Sequence, residues 1–253
     1  LGKIAVREAL ARADVPPEAV DQLVFGTVVH SPRAPNIGRE VGLAVLPKEV
    51  PASTVSHACA SANQAIGDGV NLIELGLADV VVAGGAESLS HIPITVSDPL
   101  AAALMGAAKA QTLVRRVAAF SGVRLRHLAP VRPEIAEPTT GETMGESAER
   151  MAKENGISRE DQDRWALRSH QLAAAGTQDG RLTAEITPVY LPPEYEKIID
   201  RDNGIRSDTS FDLLAKLRPA FSKDGTVTAA NASAISDGAA ALVLMRQSEA
   251  ERR

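Results

Sequence analysis

The stretch from Ala52 to Ser88, ASTVSHACASANQAIGDGVNLIELGLADVVVAGGAES, contains the alternation that decides the fold. Its first part, ASTVSHA, reads as a strand, and SANQAIGDGVNLIELGLA has apolar residues at helical spacing. The last part, DVVVAGGAES, is a continuous apolar run that ends in a glycine pair, which is typical of a strand buried on both faces. A helix between two strands indicates an α/β architecture.

The helix in this stretch is predicted from an apolar stripe, despite two internal glycines. Upstream, LGKIAVREALARADV predicts another helix, which the prolines of DVPPEAVD end. A strand over residues 22–29 and a short helix over residues 39–46 follow. The residues of the apolar stripe are Ala62, Ile66, Val70, Ile73 and Leu77.

The composition changes after about Pro93, and the chain reads as mostly helical and more charged as far as about Lys223. Ser158 begins one helix, since Asp161 follows it at the spacing of a capping box. Thr143 and Glu146 repeat that spacing before a helix that Gly156 closes. TVTAANASAISDGAAALVLM then predicts two strands around a turn of small residues, so the helical part reads as an inserted subdomain.

The overall composition is that of an ordinary globular protein, with 44% hydrophobic and 23% charged residues among 253. Aromatic residues make up 3% and the net charge is −5, so nothing favours general binding of nucleic acid. We find no signal peptide and no apolar run long enough to span a bilayer. One cysteine excludes an internal disulfide and a zinc site built from several cysteines.

That cysteine, Cys59, lies at the junction of the predicted strand and helix. A helix N-terminus favours the thiolate, which is the nucleophilic form, and its free N–H groups can bind an oxyanion. A cysteine nucleophile also needs a base, and none of the five histidines has a context that marks it as catalytic. His57 is near in sequence but reads more simply as a histidine at a strand end. Without further information, Cys59 is either a nucleophile or an inert core residue.

Several motifs in order resemble those of the thiolase family. HACASANQAI is similar to the segment around its acylated cysteine, and DVVVAGGAESLS to the strand and turn that follow. TTGETMGESAERMA and DRWALRSHQLAAA resemble its helical loop domain, and KLRPAFSKDGTVTAANASAISDGAAALVLM the return to the core. The resemblance covers residues 1–249 and is strongest to the long-chain 3-ketoacyl-CoA thiolases of β-oxidation, the β subunits of trifunctional complexes.

The resemblance implies an acyltransferase that cleaves 3-ketoacyl-CoA with coenzyme A, or runs the reverse condensation, through an acyl-cysteine at Cys59. It implies no cofactor and no metal, because coenzyme A is a substrate. It also implies a set of residues that contact coenzyme A. These are Met144, Arg206, Phe221, Ala229 and Ser233.

The implied fold class is α/β, the layered thiolase-like fold, of which this sequence holds the N-terminal half with an inserted, mainly helical loop domain. The expected segments are residues 1–93 for the first part of the α/β domain, 94–223 for the loop domain and 224–253 for the return. Family members carry a Gly-His-Pro histidine and a Cys-x-Gly-Gly-Gly cysteine, and neither motif occurs in this sequence. We therefore expect that the first strand and the second half lie outside it.

The implied partners are acyl-CoA and coenzyme A, a second copy in a homodimer or larger oligomer, and a hydratase/dehydrogenase α subunit. Residues 99–129 combine apolar spacing with four arginines, which suits a peripheral membrane contact, a partner contact or an ordinary packed helix. The implied location is the cytoplasm, or the mitochondrial matrix in a eukaryote.

Two other functions remain open. One is a non-catalytic relative that binds acyl-CoA or lipid, or an inactive truncated fragment. The other is a condensing enzyme of the ketoacyl synthase type, which shares the fold and the nucleophile. The run NASAISDGAAALVLM and the helical loop domain favour a thiolase over a synthase.

Overall fold

The computed structural model describes residues 1–131, 136–137 and 139–253. Contacts divide it into two units, residues 1–90 with 137–253 and residues 91–136. The domain limits at 93 and 223 stay predictions.

In chain order the elements are α1 (Gly2–Arg12), β1 (Gln22–Gly26), α2 (Ile37–Val45), β2 (Ala52–Val55), α3 (Ser61–Glu74), β3 (Val80–Ser88), α4 (Asp98–Lys109), α5 (Leu113–Ala118), α6 (Met144–Glu154), α7 (Arg159–Gln178), β4 (Val189–Tyr190), β5 (Ile198–Ile199), α8 (Phe211–Ala215), β6 (Asp237–Met245) and α9 (Gln247–Arg252).

The first unit is built on a four-stranded sheet with the order β2-β1-β3-β6. β1 runs parallel to β2 and to β3, and β6 pairs antiparallel with β3. The register places Leu23 between Ala52 and Val82, and Val80 opposite Met245. This mixed sheet confirms the α/β class expected from the sequence.

The sheet is covered on both faces, as the apolar run of β3 predicted. On one face, Leu23 and Phe25 of β1 pack in a core with residues of α1 and α2. On the other face, Val24 and Val81 pack against Ala65 and other residues of α3. Side chains of a strand alternate between its faces, so successive residues of β1 and β3 enter different cores.

The face that α3 turns to the sheet matches only part of the apolar stripe read from the sequence. Its buried residues are Ser61, Ala65, Gly69 and Ile73, of which only Ile73 belongs to the stripe, while Val70 is 44% exposed and Leu77, beyond the end of α3, is 70% exposed. α3 lies so close to the sheet that a Cβ on Gly69 would stand 2.9 Å from Leu244 Cδ1. Apart from Ile73, small residues therefore face the sheet, and Val70 remains outside.

Both predicted helix starts in the helical region are confirmed. The Thr143 hydroxyl accepts a hydrogen bond from the Glu146 N–H, and the Glu146 carboxylate accepts one from the Thr143 N–H. The Ser158 hydroxyl accepts one from the Asp161 N–H at 3.1 Å. α6 ends before Gly156, which has a left-handed φ of +64°.

One predicted strand is wrong. Residues 226–230 form a turn instead of a strand, because their backbone groups bond to side chains. The N–H groups of Thr226 and Val227 donate to the Glu149 carboxylate, and the N–H of Thr228 donates to Asn231 Oδ1. Only the second predicted run forms a strand, β6.

The second unit, residues 91–136, contains α4, α5 and a 3₁₀ turn over Leu125–Leu128. Thr95 and Val131 pair through two backbone hydrogen bonds near its ends. Helical structure is interrupted between α4 and α5, so residues 99–129 do not form one continuous helix. Across the described parts of the chain, we find no helix with the length and apolar character that a membrane crossing requires.

Candidate active site

Cys59 lies in the tight connection between β2 and α3, two residues before the helix begins. Its side chain is exposed. Ala58, directly before it, has a left-handed φ of +46°, which is unfavourable for a residue with a Cβ. The bend turns the chain sharply out of the sheet, so that the thiol projects at the carboxyl end of β2.

Ser61 holds this bend in place. Its hydroxyl donates to the Ala58 carbonyl at 2.6 Å and accepts from the His57 N–H at 2.8 Å. Two backbone bonds close the turn, from Ala60 N–H to the His57 carbonyl and from Ser61 N–H to the Ala58 carbonyl. Ser61 is 3% exposed, so water does not compete for these bonds.

The bend also depends on Gly26, at the end of β1. A Cβ on Gly26 would stand 2.6 Å from the Ser61 carbonyl carbon and 2.7 Å from the Ala62 nitrogen. The first turn of α3 therefore rests directly on the backbone of β1. The sequence analysis did not identify Gly26 or Ser61, although a glycine at a strand end is a signal of close backbone approach.

His57 does not act on Cys59 in this structure. Its Nδ1 lies 3.3 Å from Gln64 Oε1, and Gln64 Nε2 donates to Asp68 at 2.8 Å. In the part of the chain that the structure describes, no side chain forms a hydrogen bond or ion pair with the thiol. The arrangement presents a nucleophile without an adjacent base, and its helix start offers backbone N–H groups to an oxyanion.

A second cluster contains two of the five residues expected to contact coenzyme A, Met144 and Phe221. The Phe221 ring lies directly against the Cα of Gly145, next to Met144 at the start of α6. The Ala220 N–H donates to the Val227 carbonyl at 2.9 Å, which joins this segment to the turn before Ala229. Met144 is 45% exposed and Phe221 41%, so both side chains are accessible to a ligand.

The other three residues expected to contact coenzyme A lie outside the cluster of Met144 and Phe221. Ala229 and Ser233 are exposed on the loop that leads into β6. The Arg206 side chain is exposed, and its backbone N–H donates to His170 Nδ1 at 3.2 Å. Within the described residues, no hydrogen bond or ion pair joins Arg206 or Cys59 to Met144 and Phe221. The structure thus brings Met144 and Phe221 close together, and the contacts of all five residues with coenzyme A stay predictions.

The carboxylate of Glu149 anchors the turn beside this cluster. Partial desolvation raises its pKa, but hydrogen bonds from the Thr226 and Val227 N–H groups and the Thr226 hydroxyl outweigh that effect. The pKa of Glu149 therefore lies below its ordinary value of 4.5. The group is ionised at neutral pH, when these bonds are strongest.

A groove of about 410 Å³ lies between α7 and α8. None of the predicted site residues contributes to its walls. Among the described residues, no group of three His, Cys, Asp or Glu side chains could hold a metal ion. The residues that line the groove are Arg164, Leu167, Arg168, Gln171 and Phe211.

Comparison with known proteins gives consistent matches. The family model for the thiolase N-terminal domain matches residues 1–248. 3-Ketoacyl-CoA thiolases of Yersinia pestis (strain Pestoides F) and Yersinia pseudotuberculosis (serotype O:1b) are each 50% identical over 253 residues, which is 99% of this chain. The chain spans 58% of the length of these curated relatives.

Two solved structures share the fold. The Bacillus anthracis acetyl-CoA acetyltransferase matches with a TM-score of 0.79 and 31% identity, over 98% of this chain and 59% of that protein. Human mitochondrial 3-ketoacyl-CoA thiolase, solved in complex with CoA, matches with a TM-score of 0.80 and 31% identity, over 100% of this chain and 60% of that protein.

Proposed function

The chain belongs to the thiolase family, and on that premise we propose that the protein is a 3-ketoacyl-CoA thiolase that works through an acyl-cysteine at Cys59. One observation carries the assignment to this residue. Cys59 is an exposed thiol on a strained bend immediately before α3, and buried contacts of Ser61 and Gly26 hold that bend. An inert cysteine would be expected inside the core instead.

The proposed reaction has two halves. The Cys59 thiolate attacks the C3 carbonyl of a 3-ketoacyl-CoA, and N–H groups at the start of α3 stabilise the developing oxyanion. The C2–C3 bond then breaks, its electron pair leaves with acetyl-CoA as an enolate, and that enolate takes up a proton. The acyl group remains on Cys59 as a thioester. The thiolate of coenzyme A attacks this thioester, which releases a shortened acyl-CoA and regenerates Cys59.

This proposal includes a role in β-oxidation and binding of coenzyme A by Met144, Arg206, Phe221, Ala229 and Ser233. The exposed Phe221 ring can pack against pantetheine or adenine, and Arg206 can pair with a phosphate. The two named relatives are 3-ketoacyl-CoA thiolases, and one structural neighbour was solved with CoA, which supports this substrate class.

The test is the intact mass of the full-length protein after incubation with acetyl-CoA. We expect one added acetyl group in the wild-type protein and none in Cys59→Ala. Binding of acyl-CoA, measured by calorimetry, should persist in Cys59→Ala, because the exposed side chain supports no core contact. If the wild-type protein binds acyl-CoA without forming an adduct, the non-catalytic binding function replaces this proposal.

We also propose a peripheral contact with anionic membranes through residues 99–129. Leu113 and Val114 on the short helix α5 are 77% and 79% exposed, and Leu125 in the following 3₁₀ turn is 87% exposed. Arg115 and Arg116 also lie on α5. Exposed aliphatic residues beside arginines suit the boundary between acyl chains and anionic headgroups.

Sedimentation with vesicles tests the membrane contact. Each arginine near an anionic surface contributes about 1 kcal/mol. Arg115→Glu/Arg116→Glu should therefore abolish binding to vesicles that contain phosphatidylserine, whereas the control Lys3→Glu/Lys48→Glu carries the same charge change elsewhere and should not. Equal binding to neutral phosphatidylcholine vesicles would contradict the electrostatic part of the proposal.

The protein is further proposed to assemble as a homodimer or larger oligomer and to bind a hydratase/dehydrogenase α subunit. Val70 on the outer face of α3 and Leu77 just beyond its end support an assembled state, because exposed apolar residues of this kind are usually covered by another domain or chain. We propose a reducing compartment, the cytoplasm or mitochondrial matrix, since Cys59 must remain a thiol. Light scattering of the purified protein measures the oligomeric state.

A further inference from the structure

A buried carboxylate connects α7 with the turn at residues 226–231. The Asp163 side chain is 1% exposed. Its Oδ2 accepts a hydrogen bond from Arg159 Nε at 2.7 Å, and its Oδ1 accepts one from Asn231 Nδ2 at 3.0 Å. Burial of a charge is tolerated only where it is paired and hydrogen-bonded, and here both oxygens have partners.

The Asn231 amide uses the carboxylate to shape the turn. Its Oδ1 accepts from the Thr228 N–H at 2.7 Å, and its Nδ2 also donates to the Thr226 carbonyl at 3.0 Å. Thr228 is fully buried, and its hydroxyl accepts from the Ala230 N–H at 3.3 Å. The amide acts as donor on one side and acceptor on the other, a combination that a carboxylate cannot supply.

Arg159 and Glu149 tie the buried carboxylate and the turn to other segments. The Arg159 guanidinium, which binds Asp163, also donates to the carbonyls of Leu214 in α8 at 2.7 Å and of Leu217 just after it at 3.1 Å. The Glu149 carboxylate binds the N–H groups of Thr226 and Val227. Val227 and Thr228 of this turn are buried, whereas Ala229 and Ser233 on the same loop are exposed to solvent.

We propose that Asn231, held by the buried Asp163 carboxylate, is a positioning residue that sets the turn presenting Ala229 and Ser233 to coenzyme A. The inference rests on the proposed function, which supplies the ligand. Asn231 touches neither the ligand nor Cys59 in this scheme. It acts through the backbone of the turn, so its loss should weaken affinity for coenzyme A and leave the chemistry of Cys59 unchanged.

Asn231→Asp tests this directly. It replaces the amide NH₂ group, which donates to Asp163 Oδ1 and to the Thr226 carbonyl, by an oxygen that cannot donate to either when ionised. The turn loses both of these hydrogen bonds and gains a carboxylate beside a carboxylate, so we expect the Kd for coenzyme A to weaken about tenfold or more.

Asn155→Asp is the matched control. It makes the same change of charge at an exposed position after α6, where the Asn155 amide donates only to the Met151 carbonyl. Its Kd for coenzyme A should equal that of the wild-type protein. The rate of Cys59 alkylation by iodoacetamide should be unchanged in both variants, since the hydrogen bonds of Asn231 and Asn155 involve no residue of the β2–α3 bend.

A second variant tests the same hydrogen bond from its other side and helps to separate a lost positioning role from misfolding. Asp163→Asn keeps the volume but has one acceptor oxygen for two donors, so coenzyme A binding should weaken in this variant as well. If the wild-type protein fails to bind coenzyme A, the proposed function fails and this inference with it. If it binds and either variant binds coenzyme A with the wild-type Kd, the positioning role alone is wrong. Weakened binding in Asn231→Asp together with altered Cys59 alkylation would indicate general unfolding and would also overturn it.

Discussion

Substituting Gly26 by alanine should disturb the candidate nucleophile without touching it. The new Cβ would stand 2.6 Å from the Ser61 carbonyl carbon and 2.7 Å from the Ala62 nitrogen. Carbon atoms pack at about 3.5–4.0 Å, so the start of α3 must move by about 1 Å. The obstacle is backbone, which cannot rotate away as a side chain would.

The expected cost is about 1–3 kcal/mol of the free energy of unfolding, the range for overpacked sites. In a chain of this size each kcal/mol lowers Tm by about 2–4 °C. The bend that carries Cys59 moves with the helix, and a displacement of about 1 Å can slow a positioned reaction by as much as about a hundredfold. We expect acylation of Cys59 to slow by about tenfold or more.

Gly67→Ala is the control, because it makes the same substitution in the middle of α3. A Cβ on Gly67 meets no atom within 4 Å. Alanine is the better helix former, so this variant should gain about 0.5–1 kcal/mol. Thermal unfolding and the acylation rate with acetyl-CoA should be measured on both full-length variants. If Gly26→Ala unfolds at the wild-type Tm and is acylated at the wild-type rate, the close contact between β1 and α3 does not position Cys59.

Three further predictions concern the bend and the anchored turn. Ala58→Gly relieves the strain of the left-handed φ of +46° at this position. In denaturant titrations the free energy of unfolding should be unchanged or higher by up to about 1 kcal/mol. A clearly lower free energy of unfolding would show that the Ala58 methyl group supports the bend. The lowered pKa of Glu149 means that its contribution to stability is present above pH 4.5 and is lost as the pH falls through its folded pKa. Glu149→Gln should therefore be less stable than wild type at neutral pH, and the difference in Tm should shrink in acid. Asp163→Ala leaves the Arg159 guanidinium without its buried partner and should lower the free energy of unfolding by about 3 kcal/mol. Glu160→Ala removes only an exposed ion pair with Arg164 and should lower it by less than about 1 kcal/mol. Equal losses for the two variants in urea titrations would contradict the role assigned to burial.

Features with a local cause could be predicted from the sequence. β3 follows from an unbroken apolar run, and the starts of α6 and α7 from residues three positions apart, Thr143 with Glu146 and Ser158 with Asp161. The position of Cys59 before a helix has the same local basis. In each case the residues that determine the structure are neighbours in the chain, so their spacing is sufficient.

The apolar stripe of α3 shows where such spacing was insufficient. The stripe included Val70, but the sheet accepts the face with Ala65, Gly69 and Ile73, because the close approach of Val81 and Leu244 leaves no room for a side chain at Gly69. Hydrophobicity identifies a helix with an apolar face, whereas the separation between the helix and the sheet decides which side chains can face it.

The turn at residues 226–230 differs from its strand prediction for a related reason. Its composition suits a strand, yet its N–H groups bond to Glu149, far earlier in the chain, and to Asn231. The Phe221 contact with Gly145 and the support of the Cys59 bend by Gly26 likewise join residues distant in sequence. The sequence by itself determined the α/β class, the helix starts and the candidate nucleophile, since these depend on local spacing. Only the tertiary structure decided which faces are buried and which backbone segments the side chains hold, because those depend on distances between elements that no local pattern encodes.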